Sequence, residues 1–401
     1  PASGLVLRVD RRPAPEGLLN LPARGLSRLG APDGFSAERC LFLDTETTGL
    51  SGGAGTVAFL VGAGYLDGAE FVTEQFMLGD YSDEPEMLLR LSELFGRFDA
   101  AVTFNGKAFD MPLLEARYTL SRLGARWRPL SHLDLLHPAR RVWKLRLKSC
   151  RLAQLEERVL GVRRVGDIPG SEVPERFFRY LSTGDRSVLD DVLRHNLQDI
   201  VTLGVLLARL AELFDRPHTA GEGLDLFSLG RALERQGDGD AGSLYELSRD
   251  VPEGSFRLYN LYRRAGDWQS ARTVLEDMVR RNQLGWVPHI ELSKILEHRE
   301  HNYRRAAFFA KIALARPEER DLFGQGMSIE PNSPTDRQIR ALSHPGLLVI
   351  RRTYDPKTKR FSQTIPVDEV RRLKTFLALS AESQGWRVVI VDSADDMNAN
   401  A

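Results

Sequence analysis

Residues 41–50 read Leu41-Phe42-Leu43-Asp44-Thr45-Glu46-Thr47-Thr48-Gly49-Leu50, an apolar run that turns abruptly acidic. Successive side chains of a strand point to opposite faces, so Asp44 and Glu46 share one face. Two carboxylates aimed together from a sheet repel each other unless a cation lies between them. Thr47-Thr48-Gly49 brings turn chemistry, which places the pair at the mouth of a strand over Cys40–Leu43. Read alone, the same ten residues are also an acidic turn after a buried strand.

Two further motifs decide between these readings. The stretch from Ala101 to Leu114 reads as a strand, a turn at Asn105-Gly106 and an amphipathic helix that begins near Asp110. A long helix is expected over Ser187–Leu213, with apolar positions Val188, Val192, Ile200, Leu203, Leu206 and Leu207. It carries His195-Asn196-Leu197-Gln198-Asp199, and His195 and Asp199, four apart, share one helical face. Asp44, Glu46, Asp110 and Asp199 would then converge from one strand and two helices. Such an all-oxygen set suits two divalent cations, Mg2+ or Mn2+.

On these residues the chain resembles the DEDD superfamily of 3′→5′ exonucleases. The three motifs match in order as Asp44-x-Glu46, Asn105 with Phe109-Asp110, and His195-x3-Asp199, and the match covers about 40–216. More narrowly, it is similar to bacterial ribonuclease H-like proteins that carry a tetratricopeptide region behind the nuclease. The resemblance implies a ribonuclease H-like mixed α/β sheet flanked by helices, with Asp44, Glu46, Asp110 and Asp199 as metal ligands. It implies His195 as general base, and a nucleic-acid substrate, a single-stranded 3′ end of DNA or RNA. One departure stands out. The superfamily's third motif is His-x4-Asp or Tyr-x3-Asp, and here His sits at the Tyr spacing, so Asp199 carries over more directly than His195.

The expected substrate contacts are Thr47, Phe104, Asn105, Trp143, Lys144 and Arg146. Phe104 reads equally as a base-stacking or a core residue, and Asn105 as a substrate contact or a turn former. The last three lie in the basic run Arg140-Arg141-Val142-Trp143-Lys144-Leu145-Arg146-Leu147-Lys148, which suits phosphates and a stacked base. A solvated helix face with Trp143 turned inward accounts for it equally well. His132 and His137 flank Asp134 without a third ligand and read as ordinary histidines.

Outside the core motifs, residues 1–39 are rich in Arg, Pro and Gly and read as a leader. Strands are expected at Thr56–Leu66 and Glu70–Leu78 around an Asp67-Gly68 hairpin turn, and a short one at His132–Leu135. From 217 to 316 the pattern is all helical. Trp268 and Tyr303, and likewise Ala271 and Ala306, lie 35 apart, near the tetratricopeptide period, which makes this region the expected protein-partner surface. Residues 317–401 resemble an internal, partial AAA+-like α/β fragment of the delta-prime clamp-loader subunit of bacterial DNA polymerase III. The carriers are Ala341–Arg352, Ile365–Leu373 and Gly385–Asn398. No Gly-x4-Gly-Lys-Ser/Thr phosphate loop occurs in the 401 residues, so the tail is not expected to bind ATP. A natural fusion and a join of two gene fragments both account for it.

Composition sets the frame. With 55 basic and 55 acidic residues no global field advertises nucleic acid, so any basic footprint is local. Cys40 and Cys150 alone exclude a disulfide scaffold and suit a reducing bacterial cytoplasm. No apolar run reaches membrane-spanning length, and the opening Pro1 implies a natural start upstream. Two rivals to the exonuclease remain: a non-catalytic module that holds nucleic-acid ends while its repeats recruit a protein, and a clamp-loader-related replication component acting through its tail.

Overall fold

Apolar runs buried on both faces, at 40–43, 58–66 and 71–77, build the centre of a six-stranded sheet in the computed structural model of the chain. It describes residues 4–49, 55–126, 129–316, 319, 329–352, 354–355, 360–362, 364–378 and 387–391. Two compact units result, Pro1–Leu247 and Ser248–Ala401.

In the first unit the elements run β1 (Val6–Pro13), α1 (Ala23–Leu29), β2 (Cys40–Thr47), β3 (Ala58–Asp67), β4 (Glu70–Met77), α2 (Glu84–Phe95), β5 (Ala100–Thr103) and α3 (Asp110–Leu120). They continue with β6 (Ser131–Asp134), α4 (Leu136–Leu147), α5 (Leu152–Leu155), α6 (Val173–Thr183), α7 (Asp190–Asp215), α8 (Gly223–Arg235) and α9 (Ala241–Leu247). The strand order is β1-β4-β3-β2-β5-β6. Hairpin-linked β2, β3 and β4 pair antiparallel, whereas β5 and β6, reached through helices, pair parallel. The result is a mixed sheet flanked by helices, as the motif order implied.

One face of the sheet takes α7 at close range, and two glycines permit it. A Cβ on Gly62 would lie 2.3 Å from Asn196 Oδ1, and one on Gly64 would lie 2.5 Å from Ile200 Cγ2. Leu41 and Leu43, on the opposite face by alternation, join Leu88, Leu91, Leu114 and Tyr118 in the core.

The leader reading does not hold. Residues 6–13 form β1, paired antiparallel with β4 from Val6↔Met77 to Pro13↔Glu70. Arg28 of α1 is 5% exposed, binds Asp238 and Asp240 at 2.6 and 2.8 Å, and donates to the Phe214 carbonyl at 3.1 Å. An edge strand half open to solvent carries charges among its apolar residues, which is why the segment lacked an apolar run. The helical part also divides later than position 217, because α8 and α9 belong to the first unit. Cys150 sits in the link between α4 and α5 and is buried like Cys40.

The second unit contains α10 (Pro252–Ala265), α11 (Trp268–Arg280), α12 (Val287–His298) and α13 (Tyr303–Leu314). The caps repeat: Asp267 accepts from the Ser270 amide at 3.0 Å, and Asn302, 35 residues on, from the Arg305 amide at 3.2 Å. Ala271 and Ala306 are both buried. Beyond them come α14 (Pro334–Arg340), β7 (Leu347–Ile350), β8 (Tyr354–Asp355), β9 (Arg360–Phe361), α15 (Val367–Ala378) and β10 (Val388–Val391). Ser333 caps α14, its hydroxyl accepting from the Asp336 amide at 3.1 Å. β7 pairs parallel with β10. Asp392 and the acidic residues after it lie outside the described residues, as do Leu50 and Pro356.

Candidate active site

The carboxylate pair lies within β2 rather than past its end. Asp44 is opposite Gly62, Glu46 is opposite Leu60, and a register shift follows between Glu46 and Thr47. On β4, Gln75 is opposite Gly62 in turn. Gly62 therefore leaves a gap between Asp44 and Gln75, and Asn196 of α7 fills it. The Gln75 amide donates to Asn196 Oδ1 at 2.9 Å, and Asn196 Nδ2 donates to Asp44 Oδ2 at 2.9 Å. Asn196 is fully buried, so its amide orients Asp44 without competition from water.

Asp110 heads α3 and is 5% exposed. The Thr45 hydroxyl donates to its Oδ1 at 2.5 Å. The turn before it is tied down by Asp134 at the end of β6, whose carboxylate accepts from the amides of Asn105, Lys107 and Leu136 at 2.8–3.0 Å. Asn105 holds φ 71°, a left-handed position that suits Asn, and its side chain is exposed. His195 and Asp199 face the sheet one helical turn apart. His195 Nε2 is 3.8 Å from Glu46 Oε1 and 3.7 Å from Asp199 Oδ2.

The five residues expected to act together are thus gathered from β2, α3 and α7. Their electrostatics is that of crowded acids. Burial, then the charges of Asp199, Glu46 and Asp110, raises Asp44 well above the carboxylate range against the Asn196 hydrogen bond. Burial pushes Glu46 up to about 8 and Asp110 up to about 6. Asp199 is raised by burial, with Arg164 and His195 opposing. For His195 burial alone would lower the pKa, but Asp199, Asp167 and Glu46 outweigh it and the net direction is up.

Several contributors carried no motif. Arg164, in the loop after α5, bridges Asp199, the fully buried Glu156 and, at 3.1 Å, Asp167. Thr202 of α7 also hydrogen-bonds Glu156. Asp167 sits 2.6 Å from His195 Nδ1, closer than the 3.3 Å of Arg164 to the same atom. The shorter contact decides the ring: Nδ1 carries the proton toward Asp167, leaving Nε2 as the accepting atom. Arg164 and Asp167 sit in irregular backbone, where no periodicity marks them. Gln75 and Asn196 showed only as polar residues inside apolar patterns.

The expected substrate contacts fare unevenly. Trp143 is 1% exposed and belongs to the core, so it stacks on no base. Arg146 is spent on Asp225 of α8, with both oxygens at 2.9 Å. Thr47 is buried and its hydroxyl donates to the Gly49 carbonyl at 2.9 Å, closing its own turn. Lys144 is exposed and Phe104 half-buried. His132 contacts the Thr103 hydroxyl at 2.8 Å, and burial lowers it to about 4.

The donor set suits hard divalent cations, because buried carboxylates in excess of local positive charge need neutralising. Among the described residues, however, no three or more His, Cys, Asp or Glu are arranged to hold a metal ion as they stand. Arg164 on Asp199 supplies part of the missing positive charge.

A mixed six-stranded sheet flanked by helices, with an acidic cluster across β2 and the neighbouring helices, makes this an α/β protein with a carboxylate-rich site. The RNase H superfamily matches the chain over residues 41–211. The uncharacterized protein YprB of Bacillus subtilis (strain 168) is 30% identical over 303 residues, 73% of this chain and 73% of that protein. The chain therefore belongs to one family with that YprB protein and carries an RNase H superfamily domain at residues 41–211. Its structure is also similar to a family B DNA polymerase from the hyperthermophilic archaeon Pyrobaculum calidifontis at a TM-score of 0.32 and 18% identity. That match covers 52% of this chain and 30% of the polymerase, too slight to carry any argument. The superfamily match ends at residue 211, so neither the helix pairs of the second unit nor its parallel strand pair draws support from it. No helix among the described residues is long and apolar enough to cross a membrane.

Proposed function

We propose that the protein is a divalent-metal-dependent nuclease that hydrolyses phosphodiester bonds as a 3′→5′ exonuclease of the DEDD type. One observation carries the reading: Asp44, Glu46, Asp110 and Asp199 come from three elements into one buried cluster, where burial raises all four pKa values and the neighbouring carboxylates add to the rise at Asp44 and Glu46. An RNase H superfamily sheet beneath that cluster points to nucleic-acid processing. The four carboxylates would hold two cations, Mg2+ or Mn2+, which when bound supply Lewis-acid activation of a water and charge stabilisation for the leaving 3′ oxygen.

The chain's own residues do the rest. His195 accepts a proton at Nε2, and Asp167 at Nδ1 fixes the ring and stabilises the imidazolium that forms. Asn196 orients Asp44, and Thr45 orients Asp110. Phe104 and Asn105, on the turn before Asp110, remain the candidates to meet the terminal nucleotide. The paired helices of the second unit, with caps repeated at 35 residues, support a tetratricopeptide-like reading and a protein partner.

A second reading has its own support. Arg164 already neutralises Asp199, as a module that holds nucleic-acid ends without cutting them would allow. End-labelled single-stranded and duplex DNA and RNA, incubated with Mg2+ or Mn2+, separate the two. Stepwise shortening from the 3′ end, lost in Asp44→Asn and Asp110→Asn, is expected. Binding without cleavage under every metal condition would leave only the module.

A further inference from the structure

From Leu135 to Leu155 the chain carries six cations, Arg140, Arg141, Lys144, Arg146, Lys148 and Arg151, and no Asp or Glu. In a chain whose charges balance overall, that excess is local. The structure sorts the run by face. Arg146 turns inward to Asp225, and Trp143 and Val142 enter the core. Arg140, Arg141 and Lys144 fall within roughly 100° of arc on the outer face of α4 at 3.6 residues per turn. All three are exposed, as is Lys148 just past the helix end. Burial raises the Cys150 thiol, and the charges of Arg140 and Lys144 oppose it only in part. Among the described residues no carboxylate forms an ion pair with Arg140, Arg141, Lys144 or Lys148, although exposed arginines elsewhere in the unit, such as Arg11, Arg39 and Arg194, do have partners.

The helix that carries this face starts beside the candidate site. The Asp134 carboxylate accepts from the Leu136 amide at the head of α4 and from the Asn105 and Lys107 amides in the turn that leads to Asp110. Asp134 is also close enough to raise the pKa of Asp110. A helix of 12 residues extends about 18 Å from that point.

We infer that the outer face of α4 is the track for the phosphate backbone of a nucleic-acid strand whose end lies at the carboxylates. The inference rests on the nuclease reading and names where its substrate runs. Unpartnered cations with no acid among them fit a polyanion, and they make backbone contacts that carry no sequence information. With Trp143 buried and the apolar side chains mostly turned inward, the track has no stacking platform. Binding along it is therefore electrostatic and indifferent to sequence.

The test measures fluorescence anisotropy of a single-stranded oligonucleotide over a range of KCl, with EDTA present to prevent cleavage. Full-length wild type is compared with the quadruple variant Arg140→Gln, Arg141→Gln, Lys144→Gln, Lys148→Gln. Four lost phosphate contacts should weaken binding roughly 10- to 100-fold at moderate salt and make the log–log salt slope shallower by about 2–3. Should the variant fold poorly, acetylation mapping on wild type serves instead: the oligonucleotide should protect Lys144 and Lys148. An unchanged slope, or no protection in a wild type that binds, overturns the track and leaves the nuclease reading standing. Wild type that binds anionic vesicles but no oligonucleotide overturns both.

Discussion

Glu46→Gln tests whether the acidic cluster is held against its own repulsion. In the folded chain burial and the charges of Asp199, Asp110 and Asp167 lift Glu46 from 4.5 to about 8, with His195 opposing. Below about pH 4.5 the residue is protonated both folded and unfolded and contributes no penalty. As pH rises toward 8 the unfolded chain loses a proton that the folded chain keeps, so stability falls through that window. At about 1.4 kcal/mol per pH unit the penalty reaches about 5 kcal/mol if Glu46 bears it alone, and about 2–5 kcal/mol once coupled neighbours share it. Gln keeps the shape without the charge. In EDTA the variant should be more stable than wild type by that amount at pH 8 and nearly equal at pH 4.5. Urea unfolding reads the difference, with amide exchange in β2 and α7 assigning it to the first unit. Added Mn2+ should shrink the gap by stabilising wild type more. Equal stability at pH 8, or the same difference at both pH values, would refute the account of the cluster.

The remaining expectations follow from single contacts. Arg164→Met leaves Glu156 buried without its cation and should cost about 3–5 kcal/mol by urea unfolding. Asn196→Leu leaves the Gln75 amide only its second acceptor, the Leu193 carbonyl at 2.8 Å, and frees Asp44, costing about 1–3 kcal/mol and weakening Mn2+ binding by calorimetry; unchanged Mn2+ affinity would deny Asn196 its orienting role. Arg28→Met should cost about 1–3 kcal/mol, less than a fully buried pair because Asp238 and Asp240 are partly exposed, and should speed amide exchange in α1. His195→Gln should cut hydrolysis about 10²–10⁴-fold and remove a rising limb centred above pH 6.5, where the surrounding carboxylates hold the imidazole; a retained limb would make His195 a packing residue.

Much of the site was legible before any fold was seen, for a local reason. Asp44 and Glu46 share a strand face by alternation, and His195 and Asp199 share a helix face by their spacing, so each pair is set by the backbone alone. Asp110 followed from a strand, a turn and a helix start in immediate succession. The sequence likewise announced β2, β3 and β4 through apolar runs and α7 through a regular apolar period. Where periodicity fails, so does the reading. β1 is an edge strand half in solvent, so its charges read as a leader until β4 paired with it. Trp143 and Arg146 look like ligand contacts in a basic run, and only packing against α8 and the core turned them inward. Arg164 and Asp167 come from irregular backbone, and no local rule sends a loop arginine to a carboxylate 35 residues away. The bridge from Gln75 through Asn196 to Asp44 depends on three elements and on the missing side chain of Gly62. Periods set which side chains share a face, whereas only the packing of helix on sheet sets which faces meet.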